Sequence, residues 1–186
     1  MRTCDFCDYD TSDVLLDGST IRIRAIHPDD RQRLLKHFES LSPESVYFRF
    51  FAAKKTLSAL ELTYFTDLDY RNHVALLATL KDQGDERIIG VGRYFVGGGH
   101  EGSKRSAEVA FAVLDEYQGH GIATLLLRHL LGIARTSGIG EFTANVLGGN
   151  HKMIEVLVSS GFEVHPTLDS GTTHLSFQIH ASGGHC

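Results

Sequence analysis

The chain has 186 residues, 42% hydrophobic and 22% charged, with 18 Lys and Arg against 23 Asp and Glu. The net charge of -5 excludes the basic excess of a general nucleic-acid binder, and no apolar run approaches the roughly 18 residues needed to span a bilayer. Three cysteines near the ends, Cys4, Cys7 and Cys186, make no disulfide framework, so a reducing cytoplasm is the expected compartment.

Residues 1–12 read as a loosely held polar arm, and residues 13–180 as one domain followed by a short tail, 181–186. "VLLDGSTIRIRAI" predicts a hairpin turning at Asp17-Gly18, with Ile21, Ile23 and Ala25 alternating against Arg22 and Arg24. In "HPDDRQRLLKHFESL" a Pro and two Asp precede Leu34, Leu35, Phe38 and Leu41 at helical spacing. "SPESVYFRFF" and "TLSALELTYFTDL" each start with a capping Ser or Thr, predicting two short helices. "HVALLATL" and "RIIGVGRYFV" read as strands paired through Gly84, "GGGHEGSKRS" as a loop, and "AEVAFAVL" as a strand apolar on both faces, hence central.

From Gly121 to Ser137 the apolar spacing is helical, with Arg135 in the last turn and Gly138 just past it. "GEFTANVL" then reads as a strand and "NHKMIEVLVSSG" as a helix capped by Asn150 and closed by Gly161. "FEVH" and "THLSFQIH" read as two final strands. The order β-α-α-α-β-β-β-α-β-α-β-β is that of a mixed α/β (α+β) single domain without repeats.

"DEYQGHGIATLLL" carries the first chemical signal. The N-terminus of the helix after Gln118 offers unsatisfied backbone N–H groups and a positive dipole end. Gly119 and Gly121, lacking Cβ atoms, let an anion come close; a plain turn that needs positive φ reads equally well from these residues alone. A dinucleotide site fails on context. The third glycine of GxGxxG is Thr124, and "DEYQ" separates strand from glycine where a tight turn is required. A Walker A loop is absent.

Gln118-Gly119-His120-Gly121-Ile122-Ala123 matches Q/R-x-x-G-x-G/A, the pyrophosphate-binding motif of the GNAT-type N-acetyltransferases. The strand "EVAFAV" precedes it, and "ANVLGGN" and "NHKMIEVLVSSGFEV" follow at that family's usual distance. "DGSTIRIRAIHPDDRQRLLKHFESLSPESVYFRFF" further resembles the N-terminal part of the GNAT domain in bacterial protein lysine acetyltransferases. The resemblance covers residues 15–180. It includes no cyclic-nucleotide-binding or nucleotide-dependent ligase domain of the kind sometimes fused in that group.

The resemblance implies a GNAT fold with a centrally splayed sheet and acetyl-CoA as co-substrate. Its pyrophosphate would be held by Gln118, Gly119, His120, Gly121, Ile122, Ala123 and Thr124. It also implies a bulged, splayed strand whose main chain at Phe111, Ala112 and Val113 meets the pantetheine arm, with further cofactor contacts from Asn145 and Asn150. Glu108 matches the acidic residue that serves as general base. A base is needed because the ammonium of lysine, which ordinarily titrates at about 10.4, must lose a proton before it attacks.

The structural alternative for Glu108 is a carboxylate facing solvent or an arginine such as Arg93. One departure stands out: Leu157 occupies the place where many GNAT enzymes carry a tyrosine general acid, so none is assigned.

The expected activity is acetyl transfer to a protein lysine ε-amine by direct attack in a ternary complex. Two alternatives are kept: a small-molecule or N-terminal amine as acceptor, and a non-catalytic acyl-CoA-binding regulatory module. The expected partners are acetyl-CoA and the acceptor amine, without nucleic acid or membrane, and a homodimer stays open. Cys4-x-x-Cys7 could hold zinc with His180, His185 or Cys186 if the termini met. One pair does not make a structural zinc site, and no metal is expected. His37 and His129, in helical patterns, read as surface or partly buried.

Overall fold

The computed structural model describes residues 6–82, 84–97, 105–169 and 171–179. The chain order is β1 (Asp10–Val14), β2 (Thr20–Ala25), a 3-10 turn (Pro28–Asp30), α1 (Arg31–Glu39), α2 (Pro43–Phe50), α3 (Ala59–Thr66), β3 (His73–Asp82) and β4 (Asp85–Val96). Then come β5 (Ser106–Val113), a 3-10 turn (Asp115–Tyr117), α4 (Ile122–Thr136), β6 (Glu141–Leu147), α5 (His151–Val158), β7 (His165–Asp169) and β8 (Thr172–Gln178). One sheet of eight strands runs β1-β2-β3-β4-β5-β6-β8-β7, antiparallel throughout except for the parallel pair β5/β6.

The hairpin turns where expected: Gly18 takes φ +85, and Asp17 Oδ1 accepts the backbone N–H of Ser19 at 2.9 Å. The arm does not extend to residue 12, because β1 begins at Asp10 and pairs Asp10 with Arg24. Polar ties hold this edge strand, among them Arg22 Nε to Asp10 at 2.9 Å, and its polar sequence shows no apolar alternation to betray it. Beneath it, the buried Arg24 reaches both oxygens of Asp30 at 2.7 Å and Glu86 at 2.6 Å. Cys4, His180, His185, Cys186 and most of the loop 97–106 lie outside the described residues.

Alternate residues of β4 serve opposite layers. Gly90 and Gly92 face α4: a Cβ on Gly90 would lie 2.7 Å from Ile122, and one on Gly92 would lie 3.0 Å from Leu126 and Phe111. These glycines let α4 settle onto the sheet. Val91 and Arg93 face α1–α3 instead, where Leu34, Phe38, Leu57 and Leu62 are buried. His37 is fully in this core, at 4% exposure, not at the surface, because its helix face is turned to β4 and its Nδ1 meets the carbonyl of Ile88 at 3.1 Å.

Three further expectations from the sequence are corrected. The bulge falls on β4, where Ala78 pairs with Gly90 but Thr79 with Ile88, leaving Ile89 unopposed; its carbonyl takes the N–H of Leu114 at 3.0 Å instead. β5 itself is regular against β4 from Ala107 to Val113. β5 is central as expected, but its C-terminal half is only part-buried, since β6 diverges from it and leaves that edge open. β7 spans "HPTLD" and not "FEVH", because Phe162 turns inward onto Phe177 at a ring distance of 5.2 Å. Pro166 is tolerated on such an exposed edge strand.

Candidate active site

The turn before α4 leaves its backbone N–H groups open to an approaching anion. Gly119 and Gly121 adopt φ +79 and +87, a left-handed conformation that side chains resist. Gly121 caps α4 with no side-chain hydrogen bond, and the first helical bond from this turn is Leu125 N–H to the Gly121 carbonyl at 2.9 Å. The N–H groups of Ile122, Ala123 and Thr124 therefore point out of the helix end without intrahelical partners. A Cβ on Gly119 would meet nothing within 4 Å, so the cradle is open on that side. His120 Nδ1 donates to the Gln118 carbonyl at 3.0 Å and stiffens the turn.

Side chains from elsewhere brace it. Gln118 Nε2 donates to Ser45 Oγ and to the Val113 carbonyl, both at 3.1 Å, joining the turn to α2 and to the end of β5. Asp115 accepts from Ser42 N–H at 2.9 Å and from the hydroxyls of Ser42 and Ser45 at 2.7 and 2.9 Å. Asn150 caps α5, accepting Met153 N–H at 3.2 Å. Lys152 Nζ reaches back to Gln118 Oε1 at 2.7 Å, which sets a cation beside the glycine turn. The sequence did not single out Lys152; its position two residues after the capping asparagine was the only available signal. Open N–H groups, two glycines and a lysine fit a pyrophosphate.

The second part of the site is a fork. β5 and β6 pair only at Ser106/Glu141, Ala107/Phe142 and Glu108/Thr143, and then part. The main chain of residues 109–113 is thus freed from the β6 ladder, with the Val113 carbonyl taken by Gln118. Glu108 stands at the crotch. It is exposed, and its Oε1 accepts a hydrogen bond from Asn145 Nδ2 at 3.1 Å. Asn145 Oδ1 in turn lies 3.0 Å from His174 Nδ1 on β8. Asn145 thus uses both ends of its amide on protein partners.

Glu108, Ala110 and Ala112 share the face of β5 that lies across from Phe95, Arg93 and Val91 of β4. On this face Tyr64 of α3 stacks over Phe95, its centroid 6.0 Å away and nearly parallel. Tyr47, Phe51, Leu60 and Tyr64 leave large apolar surfaces exposed along α2 and α3. Leu157 is wholly buried, and so offers neither a proton nor a path to one. The residues expected from the sequence to meet the cofactor gather at the turn and the fork, whereas Asn145 is directed to Glu108.

Comparison with known proteins bears on this geometry. The family model described as the acetyltransferase (GNAT) family matches residues 34–162. An acetyltransferase of Pseudomonas aeruginosa is 32% identical over 146 residues, 78% of this chain and 76% of that protein. Acetyltransferase Pat of Mycolicibacterium smegmatis is 35% identical over 140 residues, 75% of this chain but only 40% of that protein. Among solved structures, the GNAT domain of S. lividans PAT matches with a TM-score of 0.82 at 38% identity, covering 91% of this chain and 96% of that one.

Proposed function

The chain belongs to the GNAT acetyltransferase family, an N-acetyltransferase with acetyl-CoA as co-substrate, and from that premise we propose that it acetylates a protein lysine ε-amine by direct attack in a ternary complex. The observation that carries the reading is the place of Glu108: it is the last residue of β5 paired with β6, at the mouth of the fork. Acetyl-CoA supplies an activated acyl group. The residues of this chain do the rest.

The open N–H groups after Gly121, with Lys152 beside them, would hold the pyrophosphate, and the β6-facing edge of Phe111, Ala112 and Val113, apart from the Val113 carbonyl that Gln118 occupies, would hold the arm that follows. Asn150 orders the start of α5 beside them. Glu108 takes the proton of the incoming ammonium, directly or through a water, while Asn145 holds one of its oxygens and leaves the other free. The small side chains of Ala110 and Ala112 keep the approach to the carboxylate clear. With Leu157 buried, no side chain is assigned as acid for the leaving thiolate, whose modest pKa lets it depart unprotonated or through water.

A protein acceptor is supported by the exposed Tyr47, Phe51, Leu60 and Tyr64 of the α2–α3 region, since large exposed apolar side chains beside a site suit the docking of a polypeptide. No helix among the described residues is long and apolar enough to cross a membrane. The reading places the reaction in the cytoplasm. The test is mass spectrometry of a lysate incubated with the protein and labelled acetyl-CoA, run in parallel with Glu108→Gln. Label on protein lysines that falls by about 100-fold or more in the variant is expected. Label confined to metabolites or N-termini would reassign the acceptor, and full activity of Glu108→Gln would remove the base.

A further inference from the structure

Between α1, α2, α3 and the Val91/Arg93 face of β4 lies a cavity of about 30 Å³. Its wall is largely apolar, with Leu34, Phe38, Leu57 and Phe65, but His37, Arg49 and Arg93 interrupt it. Arg93 is 4% exposed; its guanidinium lies over the Phe65 ring at 4.6 Å, and its Nη1 is 3.2 Å from His73 Nε2. The part-buried Arg49 of α2 lies over Phe50 at 5.1 Å. Among the described residues neither guanidinium has a carboxylate within ion-pair distance. Glu108 attracts Arg49 from a distance but hydrogen-bonds Asn145 instead.

Two like charges in an apolar cavity destabilise the fold unless a counter-charge joins them. Burial lowers Arg93 to about 9, with repulsion from Arg49 adding to it, and burial lowers Arg49 to about 10. Both guanidinium groups stay charged at neutral pH, and the aromatic contacts offset only part of the cost. His37 adds an independent observation. Its Nδ1 faces the Ile88 carbonyl, which only accepts, so Nδ1 carries the hydrogen and Nε2 a lone pair. That Nε2 is buried without a partner, and His37 lines the same cavity. Two guanidinium groups without a counter-charge and one buried unpaired lone pair mark a polar site, not a packing defect.

The cavity adjoins the row along which an amine would travel. Ala112 lines it, Arg93 pairs with Ala110, and Glu108 lies on the same face. We propose that Arg49 and Arg93, with His37, form a carboxylate-binding subsite on the acceptor side of Glu108, so that the acceptor presents a carboxylate to the cavity and its amine to Glu108. The planar guanidinium fork matches carboxylate geometry, and His37 Nε2 accepts a hydrogen from a water or an N–H beside that carboxylate. The carboxylate has two sources: an acidic side chain next to the target lysine, or the acceptor's own carboxylate if the amine is small. This rests on the reading of Glu108 as the base at the acceptor face.

Transfer from acetyl-CoA is measured with two matched acceptor pairs: a lysine peptide with a neighbouring Asp against the same peptide with Asn, and free lysine against 1,5-diaminopentane. In one pair the carboxylate member has a KM lower by about tenfold, in keeping with a charged hydrogen-bond pair. Arg93→Met and Arg49→Met remove that difference and leave the carboxylate-free member within about twofold. A preference in the peptide pair identifies the acidic side chain as occupant, and one in the lysine pair identifies the small acceptor.

Equal KM within both pairs overturns the subsite, as does equal loss on both members in the variants. A preference for succinyl-CoA over acetyl-CoA, with none among acceptors, overturns its placement on the acceptor side. The thermal midpoint of Arg93→Met stays equal or rises, as loss of a buried charge without a counter-charge predicts; a fall with the acceptor preference intact makes Arg93 structural and overturns the assignment. Calorimetry of the same acceptors on Glu108→Gln with CoA bound reads the preference without transfer, so a failed subsite and a failed base are told apart.

Discussion

Asn145 donates a side-chain N–H to Glu108 Oε1 at 3.1 Å across the gap where β5 and β6 part. The amide can face only one way, because the carboxylate accepts and His174 Nδ1, 3.0 Å from Oδ1, must then donate. His174 Nδ1 therefore carries a hydrogen. Glu108, the proposed base, is thereby oriented by a neighbouring strand without a charged partner.

Replacing Asn145 by Ala lowers kcat several-fold with the KM for acetyl-CoA unchanged, because the change frees Glu108 without touching the glycine turn. Asn145→Asp places a second carboxylate against the first, so the acid limb of the kcat/KM profile moves to higher pH. The pH profiles of both variants check this. A raised KM for acetyl-CoA with an unmoved limb would return Asn145 to the cofactor.

The glycine turn is tested by Gly119→Val and Lys152→Ala. The first forces a β-branched residue into φ +79 and fills the open side of the cradle, so the Kd for CoA rises by about tenfold or more. Lys152→Ala weakens binding by a few-fold, more at low salt than at high salt, as a solvent-exposed charge should. Calorimetric titration with CoA at two ionic strengths reads both.

Burial holds His37 well below its ordinary value, at about 4, with Arg93 and Arg87 adding to the effect. The unfolded chain therefore takes up this proton near pH 6.5, whereas the folded chain refuses it until about pH 4. Stability contributed by neutral His37 is fully present above about pH 6.5 and is lost as the pH falls toward about 4, by about 3 kcal/mol in all. Urea unfolding between about pH 7 and pH 4.5 shows the slope, and His37→Gln flattens it.

Gly90→Ala sets a Cβ 2.7 Å from the Ile122 methyl, which the packed sheet and α4 cannot both accommodate. The substitution costs about 1–3 kcal/mol of stability. It also loosens the first turn of α4, so weaker CoA binding accompanies the lower thermal midpoint. Gly97→Ala, where a Cβ meets nothing within 4 Å, serves as the control.

How far the sequence reached can be followed residue by residue. The apolar spacing of α4, the Asn150 cap and the Gly138 stop were legible because they are local backbone chemistry. β1 was hidden because an edge strand held by Arg22 and Asp10 needs no apolar alternation. The bulge moved from β5 to β4 because register is set by two strands together, and one strand's sequence does not disclose its partner's slip.

The sequence alone determined the order of the elements, the glycine turn at the head of α4 and Glu108 as the carboxylate on a central strand. Each follows from propensity, capping or left-handed φ within a few residues. Tertiary structure decided which distant side chains meet: Asn145 with Glu108, Lys152 with Gln118, and Arg49 and Arg93 with His37 in one cavity. Those meetings depend on strand order and on where β5 and β6 separate, and both are settled by long-range pairing and burial, which no local stretch of sequence encodes.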